Sequence, residues 1–196
     1  MTREDLSALL SGVSDAEFVD RHLLSGRPWI FENDAAHDAW RRSVGGSLGV
    51  ALDDVRIVGS AATGYSLSPL KPGRPFRPWT ASAVSVSDID IALVDPRLFS
   101  DAWNLIISLD RAYRLGGTDE SRGKIRFDVY HGLIGQQIIP VNTDPARRFL
   151  SAMTTAGRVP PLRGYRIRGR VYRRIEDLRS YHLSSLRHLR RELSDD

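Results

Sequence analysis

The sequence contains no cysteine, and its only lysines are Lys71 and Lys124, against 26 arginines. Without cysteine, the chain can form neither disulfide bonds nor thiolate zinc sites, and it cannot use a cysteine nucleophile. It has no run of about 18 apolar residues, and its first residues lack the basic-then-apolar order of a secretory signal. We therefore expect a cytoplasmic protein that does not act at a membrane.

Positive charge is concentrated towards the C-terminus. The 196 residues carry a net charge of +4, yet residues 158–191 hold eleven arginines and only two acids. A basic end favours an acidic partner such as RNA or DNA. An arginine bias would also follow from a GC-rich coding genome, and the sequence does not separate the two explanations. The candidate nucleic-acid contacts are Arg166, Arg168, Arg170, Arg173 and Arg174.

Hydrophobic periodicity predicts an α/β or α+β fold with a small mixed sheet. Helices are expected before Gly49, from Pro96 to the Gly-Gly pair, over residues 144–156 and at the C-terminus. The stretches DDVRIVGS, VSDIDIALV and KIRFDVYHG are predicted strands, and YRIRGRVY is a further strand or the edge of a hairpin.

This pattern divides the chain into three parts. Residues 1–50 form an N-terminal helical segment, residues 51–143 form the core with the strands, and residues 144–196 form an arginine-rich strand and helix extension. We expect the three parts to fold as one compact unit, because the chain is short enough for a single domain.

Two aspartates lie within the hydrophobic strand VSDIDIALV. Because successive side chains of a strand point to opposite faces, Asp88 and Asp90 emerge together, while Ile89 and Ile91 face the core. Two like charges on one rigid face repel each other. Mg²⁺ or Mn²⁺ held between carboxylates and a substrate phosphate is the usual compensation. An isolated Asp-x-Asp is more often just a solvated acidic edge.

A Gly-Ser pair, Gly59 and Ser60, ends the preceding strand. A glycine turn that enters a helix presents backbone N–H groups and a hydroxyl to a phosphate. The order of the features, a phosphate-holding turn followed by a strand with paired carboxylates, predicts a site for a nucleoside triphosphate (NTP). In this site the turn would anchor the phosphates, and the aspartates would hold the metal ions that bridge them.

These residues resemble a known signature. The stretch VGSAATGYS…SDIDIALV resembles the DNA polymerase β-like nucleotidyltransferase superfamily, and the wider stretch resembles a group of bacterial nucleotidyltransferase-domain proteins. The resemblance implies a nucleotidyltransferase core in which Gly59, Ser60 and Ser87 bind the triphosphate and Asp88 and Asp90 are catalytic metal ligands. The implied reaction moves a nucleoside monophosphate from an NTP to an acceptor hydroxyl, with Mg²⁺ or Mn²⁺.

The resemblance leaves the acceptor open. Members of the superfamily modify RNA or DNA ends, make nucleotide signals in antiphage defence, or modify a protein toxin in toxin–antitoxin systems. The partner would then be a nucleic acid, a nucleotide or a protein encoded nearby.

The sequence departs from the family pattern in two places. An extra stretch, residues 67–84, separates the two motifs. Its Lys71 and Arg74 either clamp phosphates or belong to a rigid proline-rich surface loop. The family also expects a third carboxylate on a later strand, for which Asp128 in KIRFDVYHG is the best candidate. If no third acid lies near Asp88 and Asp90, the alternative of a catalytically inactive module that binds nucleotide or nucleic acid gains greatly.

Overall fold

The computed structural model describes residues 10–68, 71–80, 85–111, 119–139 and 143–194. This part of the chain contains seven helices and a four-stranded mixed sheet, which agrees with the expected mixed α and β class. The strands are β1 (Val55–Val58), β2 (Ile89–Val94), β3 (Leu133–Gly135) and β4 (Ile167–Tyr172). The helices are α1 (Asp15–Val19), α2 (Asp34–Leu48), α3 (Ser60–Thr63), α4 (Pro96–Arg111), α5 (Asp119–Tyr130), α6 (Asp144–Ala156) and α7 (Ile175–Ser194).

Local signals explain where the first helices begin and end. The Ser14 hydroxyl accepts a hydrogen bond from the Glu17 amide at 3.2 Å, so Ser14 caps α1. The helix then widens into a π-helical turn over Asp20–Ser25. Asn33 caps α2, because its side-chain oxygen accepts a 2.9 Å hydrogen bond from the Ala36 amide. Gly49 ends α2 with φ 69°, which fits the predicted helix end.

The sheet has the strand order β1-β2-β4-β3. Strand β2 is antiparallel to β1 and parallel to β4, and β3 is antiparallel to β4. The stretch YRIRGRVY, which was expected as a strand or a hairpin edge, is therefore an interior strand. The C-terminal part of the chain thus supplies the direct neighbour of the strand that carries Asp90.

The two faces of the sheet pack against different helices. Ile57, Ile91 and Val171 lie in the main core with residues of α2, α4 and α6. On the same face, a side chain at Gly169 would come within 2.6 Å of the Phe149 ring, so glycine lets α6 pack closely against β4. The opposite face is covered by α7, in a smaller core that includes Ala92, Val94, Tyr172 and Leu178.

The predicted third strand, KIRFDVYHG, is wrong, because these residues form most of α5. The alternation of Ile125, Phe127 and Val129 suggested a strand, but Phe127 is 59% exposed and Asp128 is buried. Ile125 and Val129 are one helical turn apart, and both pack against the main core. The short strand β3 follows only after Gly132, which has φ 72°.

Within the described ranges, no helix is both long and apolar enough to cross a bilayer.

Candidate functional site

The Gly-Ser turn lies directly against Asp90. Gly59 has φ 68°, and a Cβ atom on it would lie 3.2 Å from the Asp90 Oδ2 atom. Any larger residue would therefore be strained in its backbone and crowded by the carboxylate. Helix α3, which begins at Ser60, has only four residues, so its dipole is weak.

Asp90 occupies a desolvated position on β2. Burial raises its pKa, and the nearby charge of Asp88 adds to this effect. The positive charges of Arg170 and Arg168 oppose it but do not outweigh it. The carboxylate of Asp90 is thus poorly hydrated and surrounded by cations, which are conditions under which a bound cation or a proton is favoured.

Asp88 lies just before β2 and is paired with an arginine. Its Oδ2 atom is 2.7 Å from the Arg168 Nη2 atom, and the two side chains are 30% and 47% exposed. The parallel register places Arg168 opposite Asp90 and Arg170 opposite Ala92, so both arginines share the face of the aspartates. Arg168 and Arg170 are two residues apart on β4, so both side chains lie on the face of the sheet that carries Asp90.

Tyr181 of α7 contacts the guanidinium group of Arg170. Its Nη1 atom donates to the Tyr181 hydroxyl at 3.1 Å, and its guanidinium carbon lies 5.4 Å from the centre of the Tyr181 ring. Desolvation lowers the pKa of Arg170, but its interactions with Tyr181, Tyr172 and Asp90 outweigh that cost and raise the pKa overall. Arg170 is therefore a permanent positive charge beside Asp90.

The described residues of the extra stretch between the two motifs fold back towards Asp88 and Asp90. The Ser66 amide donates to the Arg74 carbonyl at 2.8 Å, and the Lys71 amide donates to the Ser68 carbonyl at 3.0 Å. Arg74 also reaches the Ser85 hydroxyl with its Nη2 atom, at 3.3 Å. Residues 69–70 and 81–84 of this stretch lie outside the described residues. The remaining part brings Lys71 and Arg74 to the aspartates, which favours the phosphate-clamp interpretation over a plain surface loop.

These elements enclose a cavity of about 450 Å³, which we call the aspartate cavity. Its volume lies in the range of roughly 300–1,000 Å³ that is typical of small-molecule sites. It is lined by Ser60, Ser66, Ser68, Lys71, Arg74, Pro75, Ser85, Val86, Ser87, Asp88, Asp90, Arg168 and Arg170. Four cationic side chains therefore surround two carboxylates and several hydroxyl groups.

Ser87 has a structural contact within this cavity. Its hydroxyl accepts a hydrogen bond from the Arg77 amide at 2.9 Å, and its own amide donates to the Arg77 carbonyl at 3.1 Å. This double contact fixes the chain just before Asp88. The hydroxyl keeps a lone pair and its proton, so a role towards a phosphate remains compatible with this geometry.

Asp128 does not line the aspartate cavity. Its carboxylate, on α5, lies 3.1 Å from the Nζ atom of Lys124, one turn earlier on the same helix. The side chain of Asp128 is 6% exposed, whereas that of Lys124 is 62% exposed. Among the described residues that line the cavity, Asp88 and Asp90 are the acids, and β4 presents Arg168 and Arg170 beside them.

The other candidate nucleic-acid contacts lie outside the cavity. Arg173 and Arg174 both pair with Asp177 on α7, with Nε–Oδ2 and Nη2–Oδ1 distances of 3.0 and 3.5 Å. Arg166 precedes β4 and is exposed. In the described part of the chain it forms no ion pair, so it is available to an external anion.

The sequence interpretation missed that Arg168 and Arg170 belong to the same cavity as the aspartates. Their alternation was visible, but the parallel pairing that brings β4 beside β2 carries no local signal. The serines of the cavity, Ser66, Ser68 and Ser85, were also missed.

Trp79 is 48% exposed, and its ring packs against Gly164, so part of its surface has a structural role.

The carboxylates of the cavity suit a hard cation such as Mg²⁺ only when a bound phosphate supplies further oxygen atoms. Mg²⁺ in proteins takes one or two carboxylates plus substrate phosphates and water, which Asp88 and Asp90 can satisfy. Across the residues with described positions, no group of three acidic or histidine side chains is gathered closely enough to hold a metal by itself. The cavity thus fits a metal that arrives with a polyphosphate.

Comparisons of the chain with protein-family models, with curated proteins and with solved structures find no match. The fold and the site define a mixed α and β protein with a cationic cavity around two carboxylates. The resemblance to nucleotidyltransferases stays a prediction that depends on the motifs of this chain.

Proposed function

We propose that the protein binds a nucleoside triphosphate with Mg²⁺ or Mn²⁺ in the aspartate cavity and transfers its nucleotidyl group to an acceptor hydroxyl. One observation carries this proposal. Asp88 and Asp90 line the same cavity as four cationic side chains, and the Gly59 turn lies directly against Asp90. A cavity of this kind is complementary to a polyanion that brings its own divalent cation.

The cationic side chains have distinct places in this function. Lys71 and Arg74 come from the folded stretch before β2, and they would bind the phosphates furthest from the reacting atom. Arg168 and Arg170 come from β4 and lie beside the carboxylates. Arginine presents a planar fork of N–H donors that matches phosphate oxygens, so these two residues suit bidentate contacts.

Asp88 and Asp90 would hold the metal. When bound, the metal would neutralise phosphate charge and polarise the phosphate under attack. Asp88 is paired with Arg168 at a distance of 2.7 Å. Binding therefore includes an exchange in which the Arg168 guanidinium moves from the carboxylate to a phosphate oxygen. The chain contributes mainly positioning and charge neutralisation, which dominate catalysis of nucleotidyl transfer.

The acceptor is a nucleic-acid end, a nucleotide or a protein. A nucleic acid is favoured by the exposed Arg166, next to β4. A function in antiphage defence or in a toxin–antitoxin system is a proposal that follows from the resemblance alone.

A second candidate function is a nucleotide-binding module that performs no transfer. It is favoured by the position of Asp128, which pairs with Lys124 on α5 and does not line the cavity. It is also favoured by Arg168, which neutralises one of the two carboxylates. In this case the cavity would sense or store a nucleotide, and the same cationic residues would bind it.

One experiment separates the two functions. Each NTP is titrated into the protein with and without Mg²⁺ by calorimetry, and labelled pyrophosphate release is followed with and without total RNA. Transfer requires both binding and release, and Asp90→Asn should abolish the release. If NTP binds but no pyrophosphate is released with any acceptor, the protein is the non-catalytic module.

A matched set of variants localises the binding. Arg74→Gln should weaken NTP binding by about 1.5–3 kcal/mol, the scale of a hydrogen bond to a charged group. Arg148→Gln removes an exposed arginine of α6 that does not line the aspartate cavity, and it should leave the affinity unchanged. If both variants bind NTP as tightly as the wild type, the nucleotide does not bind in the aspartate cavity.

A further inference from the structure

A second cavity, of about 400 Å³, lies between α2, the π-helical turn and β1, and we call it the α2 cavity. It shares no lining residue with the aspartate cavity. Its charged and titratable lining residues are Arg27, Asp34, His37, Asp38, Arg41 and Arg56.

Three buried nitrogen atoms of this lining have no hydrogen-bond partner among the described residues. They are His37 Nε2, Arg41 Nε and Arg56 Nη1. A buried polar atom without a partner is rare in folded proteins, because leaving it unpaired costs about 1–3 kcal/mol. Three such atoms from three side chains of one cavity indicate that the cavity takes an acceptor.

Arg56 carries a charge that the chain leaves uncompensated. Its Nε atom donates to the Leu24 carbonyl at 3.2 Å, and within the described residues it forms no ion pair. Desolvation lowers its pKa, an effect only partly offset by the charges of Asp54 and Asp53. A partly desolvated cation without an ion pair is stabilised by a bound anion.

The aspartates of the cavity are already engaged. Asp38 lies 2.5 Å from Arg41 Nη2, and Asp34 lies 3.4 Å from Arg27 Nε. The second terminal nitrogen of Arg41 reaches Asp53 at 3.3 Å. These ion pairs fix Arg27 and Arg41 at the cavity while leaving Arg41 Nε and the whole charge of Arg56 for an incoming group.

The arrangement of the donors suits a compact oxyanion. His37 and Arg41 are one turn apart on α2, so they share a face. Burial, together with the charge of Arg41, lowers the pKa of His37, so its ring is neutral and one of its nitrogens donates. The opposite wall includes the π-helical turn, a feature found often at functional sites.

We propose that the α2 cavity binds the phosphate group of a small phosphorylated molecule, through Arg56, Arg41 and His37. A phosphate monoester offers three terminal oxygens, which can accept from Arg56 Nη1, from Arg41 Nε and from His37 in the tautomer that carries its proton on Nε2. The volume of the cavity exceeds that of a bare ion and leaves room for a small organic group. This site is independent of the nucleotide proposed for the aspartate cavity.

The test uses inorganic phosphate as the probe, in a Lys71→Gln/Arg74→Gln background that weakens anion binding in the other cavity. The indole resonance of Trp40 is the reporter, because its ring stacks on His37 with centroids 6.2 Å apart. Phosphate at constant ionic strength should shift this resonance saturably. Arg56→Gln should weaken the affinity at least tenfold, while Arg42→Gln, at an exposed neighbour on α2, should leave it unchanged.

Several results would overturn the proposal. The site is not a phosphate site if chloride or acetate at the same ionic strength shifts the Trp40 resonance equally. The assigned donors are wrong if Arg56→Gln binds phosphate as tightly as its parent. If Arg56→Gln does not fold, His37→Gln replaces it with the same expected loss, and its unchanged affinity has the same meaning.

Discussion

Asp88 and Arg168 form an ion pair with a distance of 2.7 Å, across the junction of β2 and β4. The carboxylate that the sequence motif assigns to a metal is therefore occupied by a side chain from a distant part of the chain. A metal at Asp88, as proposed above, would share the carboxylate with Arg168 or displace Arg168 from Oδ2. We therefore expect the metal affinity at Asp88 to rise when Arg168 is drawn away.

Replacement of Arg168 tests this competition. In Arg168→Gln, the Asp88 carboxylate is freed, so we expect Mn²⁺ to bind more tightly in the absence of nucleotide. The same variant should bind NTP about tenfold to a hundredfold more weakly, because a charge-assisted contact to a phosphate is lost. Calorimetric titrations of Mn²⁺ alone and of NTP with Mn²⁺ provide both values. Unchanged Mn²⁺ affinity would mean that the ion pair does not control access to Asp88.

Asp128 offers a test of the third carboxylate. Because it pairs with Lys124 on α5, we expect Asp128→Asn to leave NTP affinity and transfer unchanged. The free energy of unfolding should fall by no more than about 1 kcal/mol, since the lysine partner is well exposed. Urea unfolding and the pyrophosphate assay measure the two effects. Loss of transfer at full stability would restore Asp128 as a catalytic group.

The buried side chain of His182 should make the free energy of unfolding depend on pH. Burial, reinforced by the charge of Arg170, lowers its pKa to about 3 from the ordinary 6.5. Above pH 6.5 the histidine is neutral in both the folded and the unfolded chain, so its stabilising effect is complete there. Below that pH only the unfolded chain gains the proton, and the free energy of unfolding falls by about 1.4 kcal/mol for each pH unit.

The substitution His182→Leu should remove this part of the acid dependence. Urea unfolding of the wild type and the variant at pH 7 and pH 5 gives the two slopes. His188→Gln, at an exposed position of the same helix, is the control and should keep the wild-type slope. If His182→Leu and the wild type lose stability equally, His182 is protonated in the folded protein.

Arg166 and Arg174 separate the possible acceptors. If a single-stranded nucleic acid binds, Arg166→Gln should make the log–log salt slope shallower by about 0.7, the value for one phosphate contact. Arg174→Gln should change it less, because Arg174 already lies 3.5 Å from Asp177. The measurement is a salt titration of a labelled oligonucleotide. Identical slopes for both variants and the wild type would favour a small-molecule or protein acceptor.

The local part of the site was predictable from the sequence. The period of two placed Asp88 and Asp90 together, and the glycine turn before them indeed approaches Asp90. The strands β1, β2 and β4 and most of the helices follow from hydrophobic spacing and from capping residues such as Ser14. These features depend on neighbours in the chain, which a sequence displays directly.

The non-local part was not predictable. The prediction for KIRFDVYHG was wrong because Ile125 and Val129 satisfy both a period of two and a helical turn, and the exposed Phe127 favoured the strand. The arginines of β4 were assigned to nucleic acid because nothing in their spacing shows which strand they pair with. Strand order depends on the packing of the whole sheet, and local propensity does not encode it.

The parallel pairing of β2 with β4 has a consequence for synthesis. The ribosome releases Asp88 and Asp90 well before Arg168 and Arg170, since synthesis runs from the N-terminus. Until β4 emerges, the growing chain holds its two carboxylates without their counter-charges and with one side of β2 unpaired. A translation product that stopped before Ile167 would keep the recognisable motif and lack two of the four cationic side chains of the cavity. Possession of the motif is therefore no measure of a finished site, which is complete only once β4 has been made.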